Sequence, residues 1–238
     1  MFSVIHESDP DGLMLPQQRR CATMAVHFRL LELYPQFRER LRVLEQRTAR
    51  RLASPPVVRE SPYRIAVVVH VVYHDDADNI PDSRIASQLA VLNADFRARN
   101  GDLSNVPIVW AGLVGDAMIS FELASTDPWG NPTQGITRTH TPIPVFEPDD
   151  QMKTAATGGV DAWPTDRYLN IWVCRLTGGV LGYAQLPNGP AHTDGVVIRT
   201  TAFGTGAGTV PPFHLGRTAT HEVGHFLNVH HIWADTDD

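Results

Sequence analysis

The stretch HEVGHFLNVHHIW, residues 221–233, decides how the rest of the chain is to be read. His221 and His225 are four residues apart. On an α-helix that spacing turns about 40° and rises about 6 Å, so both imidazoles share one face and can meet one ion. Glu222 completes an HExxH pattern, in which the carboxylate activates water at the metal. Such a centre needs a third protein ligand. The pair His230 and His231 cannot supply it from a straight helix, which runs about 15 Å over ten residues. The chain has to turn back, and Asn228 is, after glycine, the residue that accepts a left-handed backbone at least cost.

His221, Glu222, His225 and His231 together resemble the metzincin pattern HExxHxxGxxH, with Asn228 where that family usually has glycine. The register of the resemblance implies His231 as the third ligand and turns His230 elsewhere. HVVYHDDADNIPDSRIASQLAVLNADFRARN, YLNIWVCRLTGGVLGYAQLP and GRTATHEVGHFLNVHHIW are similar to the pappalysin family, especially its small prokaryotic members, over residues 61–233 and again near Cys21. The resemblance implies an α+β fold: a zincin- or metzincin-like twisted mixed sheet with a backing helix and a zinc-binding active-site helix, preceded by a helical prosegment. The implied activity is zinc-dependent endoproteolysis of extended polypeptides. Glu222 is the general base that takes the proton of the attacking water and returns it to the leaving amine. Two alternatives share the metal site, a zinc-binding domain without turnover and a zinc hydrolase of a non-peptide substrate. The resemblance further implies secretion, a preference for arginine and bound calcium, although no calcium ligands can be named and the end DTDD reads as a solvated tail.

With 238 residues, 42% of them hydrophobic, the chain can hold one large domain or two small ones around a substantial core. Its longest apolar run, IAVVVHVVY, is too short to span a bilayer and reads as a buried strand. The start, MFSVIHESDPDG, lacks the basic head and apolar centre of a signal peptide, so neither a secretion signal nor a membrane partner is expected of this chain. Charge is segregated: residues 1–51 carry nine arginines against six acids, and the remainder eleven basic residues against twenty acids. A basic arm ahead of an acidic domain suits nucleic acid or docking in cis. The acidic remainder disfavours nucleic acid. Apolar residues at helical spacing favour docking: Val26, Leu30 and Leu33 fit one helix, and Phe37, Leu41 and Leu44 fit another begun by Pro35. The tract RTARRLAS, running into the proline-rich connector ASPPVVRESP, offers a cleavable junction near Arg50 or Arg51. The expected division is therefore a prosegment at residues 1–51 and a metzincin catalytic domain at 52–238.

Within that domain, YRIAVVVHVVY, ISFELAS, YLNIWVCRL, VLGYAQLP and DGVVIRT read as strands, and a helix starts at Asp82 and ends near Gly101. GGVLGYAQLP resembles the metzincin strand on the upper rim of the cleft, which makes Gly182, Tyr183 and Ala184 candidate substrate-binding residues; an ordinary edge strand between glycine turns explains the same spacing. Of the two cysteines, Cys174 reads as a small buried core residue. Cys21 follows two arginines that favour its thiolate, an excellent zinc ligand. The resemblance implies that such a prosegment cysteine holds the enzyme latent; a surface thiol or a cystine with Cys174 is the alternative. All five methionines precede the zinc motif, so only the upper catalytic subdomain is expected here, without the methionine turn of the family, in a latent or truncated form.

Overall fold

A computed structural model describes residues 20–55 and 60–232. The centre of the fold is β1 (Tyr63–Tyr73), whose middle is buried on both faces, as its β-branched run requires. β2 (Ile119–Leu123) and β3 (Ile136–His140) pair in succession along one edge of β1, and β4 (Leu169–Cys174) pairs along the other. β6 (Val196–Arg199) continues the parallel sheet beyond β4, and β5 (Gly182–Ala184) closes it as an antiparallel edge. The mixed sheet matches the class expected from the sequence. β3 was not expected, because ITRTH has no apolar run, and β5 is shorter than VLGYAQLP suggests.

Alternation along each strand sorts the core into two layers. Val67, Val69 and Val71 of β1, Ile171 and Val173 of β4, and Val196 and Ile198 of β6 face α3 (Asp82–Asp95) and α4 (Arg217–Phe226). These helices bring Ile85, Leu89 and Leu92, and Ala219 and Val223, to that layer. α3 is shorter than expected. It ends at Asp95, and Ala98, not Gly101, takes the left-handed turn (φ 48°). Asp82 makes no cap hydrogen bond; its carboxylate pairs with Arg138 of β3 instead. Polar ties fix α4 against α3: Thr220 Oγ1 donates to Asp95 Oδ2 at 2.6 Å, and Gln88 Nε2 donates to the Gly216 carbonyl, which opens α4, at 3.0 Å.

The opposite layer joins Trp172, Cys174, Tyr183 and Val197 to residues of α1 (Thr23–Leu33) and α2 (Pro35–Leu52). The amino-terminal segment therefore docks on the sheet, through Val26, Leu30 and Phe37, with Pro35 at the start of α2. Leu33 departs from the expected stripe and is 63% exposed, and Phe37 is the buried residue of α2. Arg50 and Arg51 lie inside α2, so a cut there requires the last helical turn to open. Part of the connector, residues 56–59, and the tail DTDD lie outside the described residues. Among the described residues no helix is long and apolar enough to cross a membrane.

Candidate metal centre and active site

α4 carries His221 and His225 one turn apart, as the spacing demands. After its last residue, Asn228 takes the left-handed conformation (φ 70°), and the Val229 amide reaches back to the Gly224 carbonyl at 2.9 Å. This reversal returns His231 to the helix. His225 Nε2 lies 3.1 Å from His221 Nε2 and 3.0 Å from His231 Nε2, and the remaining pair is 3.3 Å apart. His225 Nδ1 donates to the Val229 carbonyl at 2.7 Å, a bond that leaves the Nε2 lone pair for the cluster. His230 is outside this group and exposed.

The donor set fits a metal ion. Edges of a tetrahedral nitrogen shell with bonds near 2.0–2.1 Å measure about 3.3 Å, close to the observed separations. Cys21 Sγ completes the set, and the four ligand atoms lie within 4.8 Å of one another. Cys21 and Cys174 are both free thiols, and Cys174 is buried in the core as expected. Of the two arginines expected to favour a Cys21 thiolate, only Arg20 lies among the described residues. Arg20 donates to the Gly178 carbonyl at 2.5 Å. Burial, and then the charge of Glu222, push the Cys21 thiol well above its ordinary pKa.

Glu222 is buried beside this group. Its Oε2 accepts from Thr23 Oγ1 at 3.0 Å and from the Cys21 thiol at 3.5 Å. Thr23 Oγ1 in turn accepts the Ala184 amide at 2.9 Å, so one hydroxyl ties α1, β5 and α4 together. Sequence reasoning missed Thr23, whose partner is 199 residues away. Gly182, Tyr183 and Ala184 form β5 and are all buried. Residues 20–22 run parallel along this edge: the Leu181 amide donates to the Arg20 carbonyl at 2.9 Å, and the Ala22 amide to the Gly182 carbonyl at 3.1 Å. The Tyr183 side chain points into the core, so the strand can offer a peptide its backbone but not that ring.

No family model matches the chain. Two curated fungal proteins called extracellular metalloprotease are similar to it. That of Verticillium alfalfae is 30% identical over 81% of this chain, and that of Arthroderma gypseum 29% over 71%. The chain spans 60% and 48% of their lengths. Among solved structures, mature mirolysin of Tannerella forsythia in complex with a cleaved peptide is 51% identical, with a TM-score of 0.73 over 74% of this chain and 67% of its own. A promirolysin variant from the same organism is 44% identical, with a TM-score of 0.80 over 91% of this chain and 71% of its own. Identity and coverage at this level, on the same fold, place the chain in the pappalysin-like metzincin metalloproteases, the family of mirolysin.

Proposed function

We propose that this chain is the zinc-binding part of a secreted metalloendopeptidase. His221, His225 and His231 hold the metal, Glu222 is the general base, and an amino-terminal prosegment, residues 1–51, keeps the catalytic domain, residues 52–238, latent through Cys21. The observation that carries this reading is the convergence of three imidazole nitrogens and one thiol beside a buried carboxylate. Bound there, zinc supplies Lewis acidity, polarising a peptide carbonyl and lowering the pKa of water towards about 7. Glu222 takes the proton of the attacking water and delivers it to the leaving nitrogen, once Thr23 and Cys21 have withdrawn from Oε2. The backbone groups of β5 that now bond Arg20, Ala22 and Thr23 then become available to an extended polypeptide substrate. The prosegment reading draws support from the promirolysin match, which extends over more of this chain than the match to mature mirolysin. The cleaved peptide bound by mature mirolysin supports the substrate class, and the relatives' description as extracellular supports secretion.

Metal analysis and casein hydrolysis by the activated full-length gene product test the proposal. Glu222→Ala is expected to retain one zinc per chain and to lose hydrolysis by at least a hundredfold. Absence of zinc, or undiminished hydrolysis in that variant, refutes it. His231→Ala is expected to weaken zinc retention strongly and His230→Ala to leave it unchanged. The reverse ranking in metal titrations refutes the ligand assignment.

A further inference from the structure

Above β5, the seam between α1 and residues 147–157 holds a polar group that the zinc chemistry does not use. Asp150 is buried and sits in the left-handed region (φ 73°), a conformation that surroundings must impose on a residue with a side chain. Its two carboxylate oxygens have different duties. Oδ1 accepts from Lys153 Nζ at 2.8 Å and from the Tyr183 hydroxyl at 3.1 Å. Lys153 is held in turn by the Thr193 carbonyl at 2.7 Å and lies over the Tyr183 and Trp172 rings. Oδ2 pairs with the Arg29 guanidinium of α1, whose other terminal nitrogen donates to the Pro148 carbonyl at 2.8 Å. Both acceptors therefore belong to the larger unit, and only the cation comes from α1. A cavity of about 220 Å³ continues beside them, between Asp149, Thr157 and His192 on one side and Leu33 and Tyr34 of the segment on the other.

Charge and reach both suit a replacement cation. Without Arg29, Lys153 is balanced by Asp150, and Asp149 and Asp194 add acidic groups beside them. Tyr183 measures the reach, since its side chain spans from β5 to Asp150. A residue paired opposite Tyr183 on the open edge puts its side chain on the same face of the sheet. Ala22, next to the Cys21–Gly182 bridge, already shares the Tyr183 core in this way. An arginine or lysine at that place has the length to reach the carboxylate.

We propose that Asp150 Oδ2 and the Pro148 carbonyl form a subsite for a basic side chain of the substrate, on the side of the cleft that α1 covers, and that Arg29 fills it in cis while the segment is docked. The proposal rests on the proteolytic reading above and deepens it by naming Asp150 as a specificity-determining residue before the scissile bond; the basic residue class itself is already implied by the family resemblance. A carboxylate with one oxygen saturated and the other open selects a guanidinium or ammonium over neutral isosteres.

The test uses the activated full-length gene product carrying Glu222→Ala, so that peptides bind without turnover. Blocked hexapeptides that differ only in arginine or its neutral isostere citrulline, placed at each position in turn, are titrated by fluorescence anisotropy. The same peptides, cleaved by the enzyme with Glu222 intact, fix which positions precede the scissile bond. At one position before that bond, arginine is expected to bind at least tenfold more tightly than citrulline, and Asp150→Asn is expected to erase the difference. Equal affinities there, an arginine advantage confined to positions after the bond, or an advantage that survives in Asp150→Asn overturns the subsite and leaves the cleft standing. Failure of every peptide to bind overturns the proteolytic reading and the subsite together. Equal affinities on unsubstituted Asp150 overturn the subsite even if Asp150→Asn does not fold.

Discussion

Gly182 shows how closely β5 approaches α4. A Cβ there would lie 2.8 Å from the Val197 carbonyl oxygen, 3.0 Å from Glu222 Cγ and 3.2 Å from Ile198 Cδ1. The strand needs glycine for this approach, and the crowding of a larger residue falls on Glu222 and β6, not on the histidines. Gly182→Ala is therefore expected to cut hydrolysis by the activated gene product at least tenfold while its zinc content stays unchanged; zinc lost in parallel would locate the strain in the ligands. Asn228 poses the opposite problem, since its left-handed backbone (φ 70°) costs an ordinary L-residue roughly 1–2 kcal/mol. Asn228→Gly is expected to keep metal affinity, and Asn228→Val to lose about tenfold or more in a chelator competition; equal affinities would show that the turn does not depend on this residue. These positions were legible in the sequence because helix spacing and turn chemistry are local. Thr23 with Glu222, and Arg29 with Asp150, were not, because each pair is joined only by the tertiary fold across more than a hundred residues.

Among the secondary elements, the three strands β1, β3 and β4 are tied by a buried histidine that the sequence left unassigned. His70 Nε2 lies 3.0 Å from Asn170 Oδ1, and its Nδ1 lies 2.8 Å from Thr137 Oγ1. Asn170 also exchanges bonds with the Trp163 backbone, its Nδ2 donating to the carbonyl and its Oδ1 accepting the amide, which fixes the amide orientation. His70 therefore donates from Nε2, and Thr137 Oγ1 can donate to Nδ1, the arrangement of a neutral ring. Burial pushes its pKa down to about 4, against a partial compensation from Asn170. A base with a depressed folded pKa binds its proton more readily in the unfolded chain, so its stabilising effect is complete above pH ~6.5 and is lost as pH falls towards 4. The shift corresponds to about 3 kcal/mol. Urea unfolding at pH 7.5 and 4.5 is expected to show His70→Gln losing less stability on acidification than the parent, by an amount of this order; identical pH slopes would rule out a buried neutral His70. The sequence made β1 legible through its apolar run, yet β3 was invisible, since its strand character comes from pairing with β1 and not from its own composition.

At the scale of the whole molecule, the amino-terminal segment is held less by charge than the uneven distribution of basic and acidic residues suggested. Arg29 pairs across the seam, but Arg42 pairs with Glu39 of its own helix, and exposed pairs of that kind contribute little. The larger contribution is apolar: Val26, Leu30 and Phe37 are buried in the layer that also contains Trp172 and Tyr183. Burying one such side chain stabilises by roughly 1.5–3 kcal/mol, and an ionised aspartate in its place adds a desolvation cost. Leu30→Asp should therefore raise the population of the undocked state by at least tenfold. Cys21 reports that opening, because it belongs to the segment and is half-buried while docked, and the fully buried Cys174 serves as the internal control. In chelator-treated protein, where no metal–thiolate bond holds the segment, Leu30→Asp is expected to speed iodoacetamide modification of Cys21 at least tenfold and leave Cys174 unreacted. Modification of both cysteines would mean that the domain itself had unfolded. An unchanged Cys21 rate in a folded variant would show that the apolar layer does not hold the segment, leaving the hydrogen bonds of residues 20–23 and Arg29 as its anchors.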